Sequence, residues 1–307
     1  MQSVLWGARR LREAGVPAPS REAEDLLAHV LSQPRHAWYL DPDAPLTADE
    51  AARMRSLVAS RADGNPLQYL LGTETFCGLE LDVTPDVLIP RPETEGVVEA
   101  ARRILVERRP AGPLPAVADV GTGSGCIALA LARAVPDAVV YATDCSRAAL
   151  AVAVRNATRL GLEHRVVFLA GDLLRPVQVS EARVDLIVSN PPYVADDEWS
   201  RLQREVRREP PLALRGGADG LDLYRRLVSE AGAVLTAGGA MVLELGFGQD
   251  EAVARLADAA GFDVERVDPD FQRIPRVMVL RARDRQRESG VNRFALPGRR
   301  RDSLECA

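Results

Sequence analysis

The sequence contains no lysine: its 39 basic side chains are all arginine, and they stand against 44 aspartate and glutamate residues. The formal net charge is −5 and the isoelectric point is about 5.5. A domain that binds nucleic acid usually carries a basic face. The charge balance of the whole chain shows none, so we expect no direct nucleic-acid partner. We interpret the exclusive use of arginine as a compositional bias.

Cysteine and histidine are also scarce. The cysteines stand far apart with no C-x-x-C pair, which argues against a disulfide framework or a zinc cluster and is typical of reduced thiols in a cytosol. The histidines lie outside the motifs described below, so we expect no metal site. The residues are Cys77, Cys126, Cys145 and Cys306, with His29, His36 and His164.

Long apolar runs are missing as well. No run approaches the roughly 20 residues that a membrane-spanning helix needs. The N-terminus shows no apolar stretch followed by a small-residue cleavage site, so we expect no signal peptide. A hydrophobic content of 47% with 27% charged residues is ordinary for a soluble globular protein. These absences predict a cytoplasmic protein with no membrane partner.

The residue pattern changes along the chain and predicts four segments. Residues 1–72 are predicted to form a small helical domain, for which substrate docking and plain scaffolding remain alternatives. Residues 73–92 predict a β-hairpin linker. Residues 93–284 predict an α/β domain, and residues 285–307 an Arg-rich mobile tail.

Local signals within the first two segments predict specific helix starts and one hairpin. Ser20 is predicted to cap a helix. Thr47 begins a capping-box pattern that predicts a second helix. Apolar residues alternate around Gly78, which predicts the hairpin; they are Phe76, Leu79, Leu81 and Val83.

Strand and helix patterns alternate from residue 116 onward, which predicts an α/β fold with a parallel sheet and helices on both faces. The predicted strands cover residues 116–120, 139–143, 165–170, 184–189 and 240–245, followed by two late strands at 262–267 and 277–281. The predicted helices cover residues 126–134, 147–160, 221–235 and 253–260.

A glycine turn follows the first of these strands. It reads Gly121, Thr122, Gly123, Ser124, Gly125. Glycine lets a backbone turn tightly and approach a ligand without a side chain in the way. The dinucleotide fingerprint requires a further glycine where Cys126 stands. The turn alone therefore leaves nucleotide or nucleoside binding and a purely structural turn both open.

Two aspartates follow the next two strands. Asp144 lies 21 residues beyond Gly123, where a carboxylate can accept both hydroxyls of a ribose; a helix cap is the alternative. Asp172 follows the third strand and is predicted to face the base of the nucleoside. A solvated turn aspartate is the alternative for that residue.

The fourth strand is followed by Asn190, Pro191, Pro192 and Tyr193. Proline has no N–H, and a carboxamide oxygen can accept, so the Asn190 oxygen and the Pro191 carbonyl can both accept from one planar NH2 group. Tyr193 can pack the plane of that group. The motif predicts group transfer to a planar nitrogen, and leaves an amide and an adenine as alternative acceptors.

Taken together, these motifs resemble the class I S-adenosylmethionine-dependent methyltransferases. The resemblance is closest to the bacterial HemK/PrmC family, the peptide chain release factor glutamine N5-methyltransferases. It spans about residues 60 to 281. The stretches that carry it are 89–95 (IPRPETE), 119–128 (DVGTGSGCIA), 188–193 (VSNPPY), 216–222 (GGADGLD) and 244–246 (ELG) with Gln249.

The resemblance implies a seven-stranded, mostly parallel Rossmann-like sheet behind an N-terminal helical domain that helps to dock the release factor. It implies that residues 121–125 wrap the methionine part of S-adenosylmethionine, that Asp144 holds the ribose, and that Asp172 and Leu173 lie by the adenine. Family members can carry an aromatic residue where Leu173 stands. Residues 190–193 would grip the glutamine of the release factor's Gly-Gly-Gln loop, with Asn190 also bordering the cofactor.

Three other functions remain as alternatives. A DNA or RNA adenine N6-methyltransferase shares the N-P-P-Y motif, because an exocyclic amine poses the same chemical problem. An NAD-dependent dehydrogenase would share the glycine turn. A translation-factor binding module without catalysis is the alternative that is not an enzyme.

Overall fold

The computed structural model describes residues 2–35, 45–107 and 115–283. Its N-terminal part contains α1 (Gln2–Glu13), α2 (Pro19–Leu31), α3 (Ala48–Ala62) and α4 (Leu67–Leu71). Apolar residues at helical spacing meet in one buried cluster; they include Leu11, Leu26 and Met54. The predicted tail, residues 285–307, lies outside the described residues.

The two helix starts that were predicted have different outcomes. Thr47 forms its capping box: its hydroxyl accepts from the Glu50 N–H at 3.2 Å, and the Glu50 carboxylate accepts from the Thr47 N–H at 2.7 Å. The Ser20 cap is wrong. Helix α2 begins one residue earlier at Pro19, after Ala18. The fixed φ of proline suits a first helical position, so this helix starts without a capping hydroxyl.

The hairpin forms as predicted. Strands β1 (Thr73–Phe76) and β2 (Leu79–Asp82) are antiparallel. Their apolar side chains, from Phe76, Leu79 and Leu81, are buried in the core under the main sheet. The hairpin is therefore packed against the α/β domain.

Asn156, on a helix of the α/β domain, fastens the hairpin to the glycine turn. Its buried side-chain oxygen accepts from the Asp82 N–H at 2.7 Å. Its amide nitrogen donates to the carbonyls of Asp82, at 3.0 Å, and Ser124, at 2.9 Å. Every hydrogen-bonding group of this buried amide except one lone pair is thereby used.

Seven strands form the main sheet: β3 (Ala116–Val120), β4 (Val139–Asp144), β5 (Val166–Ala170), β6 (Val184–Ser189), β7 (Leu235–Glu244), β8 (Phe262–Pro269) and β9 (Pro275–Ala282). Their order is β5-β4-β3-β6-β7-β9-β8. Strands β3 to β7 pair in parallel, and β9 is antiparallel to both β7 and β8. The predicted seven-stranded, mostly parallel sheet is confirmed.

Helices cover both faces of the sheet. One face carries α5 (Glu95–Glu107), α6 (Cys126–Ala134) and α7 (Arg147–Leu160), and the other carries α8 (Arg175–Val179), α9 (Asp222–Ala231) and α10 (Asp250–Ala259). Two apolar cores result, one on each side of the strands, as a parallel sheet requires. In the ranges that the structure describes, none of the helices is both long and apolar enough to span a bilayer.

The helix predicted over residues 221–235 is too long. Helix α9 ends at Ala231, and β7 already begins at Leu235. The difference arises because the Val234 carbonyl accepts from the Val184 N–H at 2.9 Å, which aligns this apolar segment beside β6. A short apolar run fits both the helical and the strand period, and here tertiary pairing decides.

The strand order reverses at β3, which lies between β4 and β6. In open parallel sheets, ligands bind outside the carboxyl ends of the strands at such a point. The carboxyl ends of these three strands lead directly to Gly121, Asp144 and Asn190. The topology thus brings three of the predicted site residues to one edge of the sheet.

Candidate active site

The glycine turn after β3 is held by the neighbouring strand. The N–H groups of Gly121 and Thr122 both donate to the Thr143 carbonyl at 2.9 Å. Gly121 and Gly123 have φ values of +73° and +56°. A Cβ atom added to Gly121 would meet no other atom within 4 Å. Open space therefore lies beside this backbone, and a ligand can approach its peptide groups closely.

Ser124 and Gly125 face the protein interior instead. Ser124 is buried, and its carbonyl accepts from Asn156. Gly125 has a φ of +84°, and a Cβ atom there would lie 3.1 Å from Leu129 and 3.2 Å from Ala153. These two residues shape the turn by packing it against α6 and α7.

Asp119, near the end of β3, holds the glycine turn in place by hydrogen bonds from the protein interior. Its Oδ2 accepts from the Thr122 hydroxyl at 2.7 Å and from the Ala128 N–H at 3.0 Å. Burial raises the pKa of this carboxyl to about 7. Its Oδ1 has no hydrogen-bond partner within the described part of the chain. No role for Asp119 could be predicted, because an aspartate in a strand carries no signal about where its oxygens point.

Asp144 closes the other side of the turn. Its Oδ2 accepts from the Gly123 N–H at 2.9 Å, and its Oδ1 accepts from the Ser146 N–H at 2.8 Å. Burial raises the pKa of the Asp144 carboxyl. Ser146 caps α7 as predicted, accepting from the Ala149 N–H. Each carboxylate oxygen of Asp144 keeps a lone pair for a further donor.

Asp172 and Leu173 lie beyond β5. Asp172 is exposed and pairs with Arg226 of α9. Leu173 has a φ of +44°, its carbonyl accepts from the Thr143 hydroxyl at 2.9 Å, and its half-buried side chain packs against one of the two sheet cores. The role of both residues beside an adenine stays a prediction.

Asn190 is held from behind by two residues of other elements. Its Nδ2 donates to the Thr94 hydroxyl oxygen at 3.1 Å. The Thr94 hydroxyl in turn donates to the Glu244 Oε2 at 2.6 Å. Thr94 belongs to a short 3-10 turn, Pro92–Thr94, that precedes α5, and Glu244 is the last residue of β7.

Glu244 is the buried end of this chain of hydrogen bonds. Burial raises the pKa of its carboxyl to about 7, against the effects of the Thr94 hydrogen bond and of Arg276. Thr94 and Glu244 both lie within the motifs that carry the family resemblance, but those motifs predict no role for either residue. The one feature that could have pointed to them is their position: both lie at the end of a strand or loop, at the same edge of the sheet as Asn190.

The residues after Asn190 form the wall of the site. Pro191 is buried, and Pro192 and Tyr193 are half-buried. The Tyr193 carbonyl accepts from the Gln249 side chain at 3.0 Å. Burial raises the pKa of the Tyr193 phenol, so this ring stays neutral. Within the described residues, nothing donates to the Pro191 carbonyl.

A glycine-rich turn, residues 216–220, supports this wall. The Gly216 N–H donates to the Val194 carbonyl at 2.9 Å, and the Asp196 N–H donates to the Gly217 carbonyl at 3.1 Å. Gly220 has a φ of +75°. A Cβ atom on Gly220 would lie 2.3 Å from the Tyr193 carbonyl oxygen and 2.6 Å from the Gln249 Nε2. Only glycine fits there without displacing Tyr193.

Gly220→Ala is therefore expected to lower kcat about 100-fold, because a shift of about 1 Å in a site can cost that much. Gly78→Ala is the matched control: Gly78 has a φ of +71° but open space around the added Cβ. It carries a similar backbone strain of about 1–2 kcal/mol without the clash. Steady-state kinetics and thermal melts of both variants test this expectation. Equal kcat values for the two would contradict it.

A cavity of about 740 Å³ connects Asn190 and Tyr193 with the N-terminal helices. Arg61 of α3 stands at its far side and bridges Glu22, at 2.5 Å, and Glu205, at 2.6 Å. The pair with Glu22 lies within the N-terminal helices, and the pair with Glu205 joins those helices to the segment that follows β6.

The loop before Thr94 is fixed on the same cavity. The buried Glu209 accepts from the Ile89 N–H at 3.0 Å and pairs with Arg91. This contact holds the Pro-Arg-Pro loop at the rim of the cavity, so that Thr94 is presented to Asn190. No cluster of three or more potential metal ligands exists within the ranges that the structure describes.

Two protein-family models match the chain. The model for the PrmC N-terminal domain matches residues 2–72, and the model for the methyltransferase small domain matches residues 94–207. The first match ends where β1 begins, and the second covers the glycine turn, Asp144 and Asn190.

Curated relatives are similar over most of their length. A release factor glutamine methyltransferase from Geobacter sulfurreducens is 47% identical over 258 residues, which is 84% of this chain and 87% of the relative. One from Moorella thermoacetica is 45% identical over 271 residues, which is 88% of this chain and 94% of the relative.

Solved structures share the fold at lower identity. The hMettl16 catalytic domain, in complex with MAT2A 3'UTR hairpin 6, has a TM-score of 0.51 at 16% identity and covers 77% of this chain and 82% of that chain. This likeness concerns the α/β fold alone.

Proposed function

Because the chain belongs to the release factor glutamine methyltransferase family, we propose that its strand-end site transfers a methyl group to the side-chain amide N5 of a release factor glutamine. As a member of that family, the chain is an S-adenosylmethionine-dependent methyltransferase. The observation that carries the assignment of the site is Asn190. Its NH2 group is tied to Thr94, which leaves its oxygen for a substrate N–H.

The residues at the ends of β3 and β4 fit S-adenosylmethionine. The open space beside Gly121 suits the methionine part, and Asp144 keeps a lone pair on each oxygen for the ribose hydroxyls. In this proposal Asp172 and Leu173 lie by the adenine, and Asn190 borders the reacting methyl. The product S-adenosylhomocysteine is held by the same residues.

The substrate amide is oriented by two acceptors. The Asn190 Oδ1 and the Pro191 carbonyl each accept one hydrogen of the planar NH2 group. This grip fixes the orientation of the nitrogen, favours its pyramidalisation and directs its lone pair. Pro192 stiffens the segment, and Tyr193 packs against the amide plane and helps to exclude water.

When bound, S-adenosylmethionine supplies a methyl group already activated by its sulfonium. The residues of the chain therefore mainly position the substrate nitrogen. As the new nitrogen–carbon bond formed, the methyl carbon–sulfur bond of the sulfonium would break. The amide proton would become acidic only at that point and would pass to solvent, so a strong base is not needed. Catalysis therefore rests on two contributions: the orientation of the substrate by Asn190 and Pro191, and the electrostatics of the site.

The release factor's Gly-Gly-Gln loop is proposed to enter the cavity that joins Asn190 to the N-terminal helices. Two glycines make a narrow loop, and the cavity offers Arg61 and Gln68 on the helical side. The N-terminal helices would then help to dock the release factor. We place this activity in the cytoplasm, where translation takes place, and expect no direct nucleic-acid partner.

Transfer of a radiolabelled methyl group from S-adenosylmethionine to a purified bacterial release factor tests this function. We expect labelling of the intact factor and none of the factor carrying Gln→Ala in its Gly-Gly-Gln loop. Equal labelling of both would contradict the assignment. Labelling of duplex DNA or RNA, with salt-sensitive binding, would favour the adenine methyltransferase. Stable release-factor binding without turnover would favour a non-catalytic module. Tighter binding of NAD than of S-adenosylhomocysteine would favour a dehydrogenase.

A further inference from the structure

Three elements meet behind Asn190 through two hydrogen bonds that no local motif connects. Glu244 ends β7, Thr94 precedes α5, and Asn190 follows β6. The Thr94 hydroxyl bridges the other two, with distances of 2.6 Å to the Glu244 Oε2 and 3.1 Å to the Asn190 Nδ2. Thr94 and Glu244 are almost fully buried, with 2% and 1% of their surface exposed. We call this chain of hydrogen bonds the Glu244 relay.

The chemistry of the relay allows one orientation of the Asn190 amide. An ionised carboxylate only accepts, so the single hydrogen of the Thr94 hydroxyl goes to Glu244. The hydroxyl oxygen then has only lone pairs left for Asn190. Only the NH2 group of Asn190 can bond to it, and the Oδ1 is turned away from Thr94.

We propose that Glu244 and Thr94 are positioning residues, which hold Asn190 in the one amide orientation that presents its oxygen to the substrate nitrogen. This inference rests on the proposed grip of the glutamine by Asn190. Reversing the amide would present an NH2 group to another NH2 group. The Asn190 NH2 group would then repel the hydrogens of the substrate amide, for which the site has to provide an acceptor.

The relay depends on the charge of Glu244. Once the Glu244 carboxyl is protonated, it can donate a hydrogen bond to the Thr94 oxygen. The Thr94 hydroxyl hydrogen is then available to the Asn190 oxygen, so the Asn190 side-chain amide can flip. Burial raises the pKa of Glu244 to about 7, so productive orientation is lost as the pH falls through that value. Thr94 bonds to the carboxyl. The titratable groups that interact with it electrostatically are Glu93, Arg91, Arg276, Tyr193, Tyr224 and Cys126.

The first test compares Thr94→Val with Thr94→Ser. Valine keeps the shape but has no hydroxyl, whereas serine keeps the hydroxyl. We expect Thr94→Val to lower kcat for the release factor about 10- to 100-fold, as a misplaced substrate does. Thr94→Ser should stay within about threefold of wild type. The Kd for S-adenosylmethionine, measured by calorimetry, should be unchanged in both and reports that both variants fold.

The second test is the pH profile of kcat. Wild type should gain activity as the pH rises through about 7, and Glu244→Gln, which cannot ionise, should lose this dependence. Asp119 has a similarly raised pKa. If the rise of kcat near pH 7 persists unchanged in Glu244→Gln, it belongs to Asp119 or to another group, and the relay is overturned. If Glu244→Gln does not fold, the Thr94 pair decides alone.

Other results would also overturn the relay. A Thr94→Val variant with wild-type kcat would show that Asn190 needs no such support, and equal losses in Thr94→Val and Thr94→Ser would point to packing. Asn190→Ala separates the two proposals. If Asn190→Ala is inactive and Thr94→Val is fully active, the proposed grip of the substrate amide stands and the relay is contradicted. A fully active Asn190→Ala removes both.

Discussion

Replacing Asn190 with alanine is expected to lower kcat/KM for the release factor about 10²- to 10³-fold, the usual cost of removing one preorganised hydrogen-bonding group from a site. The Kd for S-adenosylmethionine should change by no more than about threefold. Methyl-transfer kinetics and calorimetric titration of the cofactor measure the two quantities.

The expected separation of the two effects follows from the geometry. Asn190 stands at the end of β6, whereas the glycine turn and Asp144 stand at the ends of β3 and β4. The backbone of residues 190–193 keeps its other supports in the variant, since the Gln249 side chain donates to the Tyr193 carbonyl at 3.0 Å. Alanine also leaves Thr94 bonded to Glu244. The substitution therefore removes one acceptor and little else.

Two results would contradict this role for Asn190. A cofactor affinity that falls in parallel with kcat/KM would place Asn190 in cofactor binding instead of in the substrate grip. A loss confined to KM, with kcat unchanged, would mean that Asn190 binds the glutamine without orienting it for reaction.

The edge of the sheet that carries the site could be predicted from the sequence, because topology fixes it. Once the strands are parallel, their carboxyl ends meet at one edge, so Gly121, Asp144 and Asn190 come together from the strand–helix alternation alone. Strand β3 and helix α6 even have their predicted bounds. The glycine turn between them and Pro136 after α6 mark these ends clearly.

The support behind the site could not be predicted in this way. Thr94 lies 96 residues from Asn190 and 150 residues from Glu244 in the sequence. A side-chain hydrogen bond across such separations leaves no periodic pattern. Glu244 ends an apolar strand and looks like an ordinary solvated carboxylate at a strand end. Asn156, which bonds two backbone segments from inside the protein, looks likewise like a polar residue on an exposed helix face.

Asp144→Ala is the second variant with a large expected effect, this time on the cofactor. Hydrogen bonds to a charged group contribute about 1.5–3 kcal/mol each. Loss of two ribose contacts should therefore raise the Kd for S-adenosylmethionine about 100-fold or more. The substitution also leaves the N–H groups of Gly123 and Ser146 without their acceptor, which loosens the glycine turn. Calorimetric titration measures the change.

Two further aspartates make the Asp144 result specific. Asp263 is exposed and pairs with Arg283, so Asp263→Ala should leave the cofactor affinity unchanged. Asp172 pairs with Arg226 at the surface, and loss of an exposed ion pair costs at most about 1 kcal/mol of stability. A contact of Asp172 with the adenine side would thus appear as a modest rise in Kd, smaller than that of Asp144→Ala. A larger rise for Asp172→Ala than for Asp144→Ala would contradict the ribose assignment, because the half-buried carboxylate beside the glycine turn would then not be the one that binds the ligand.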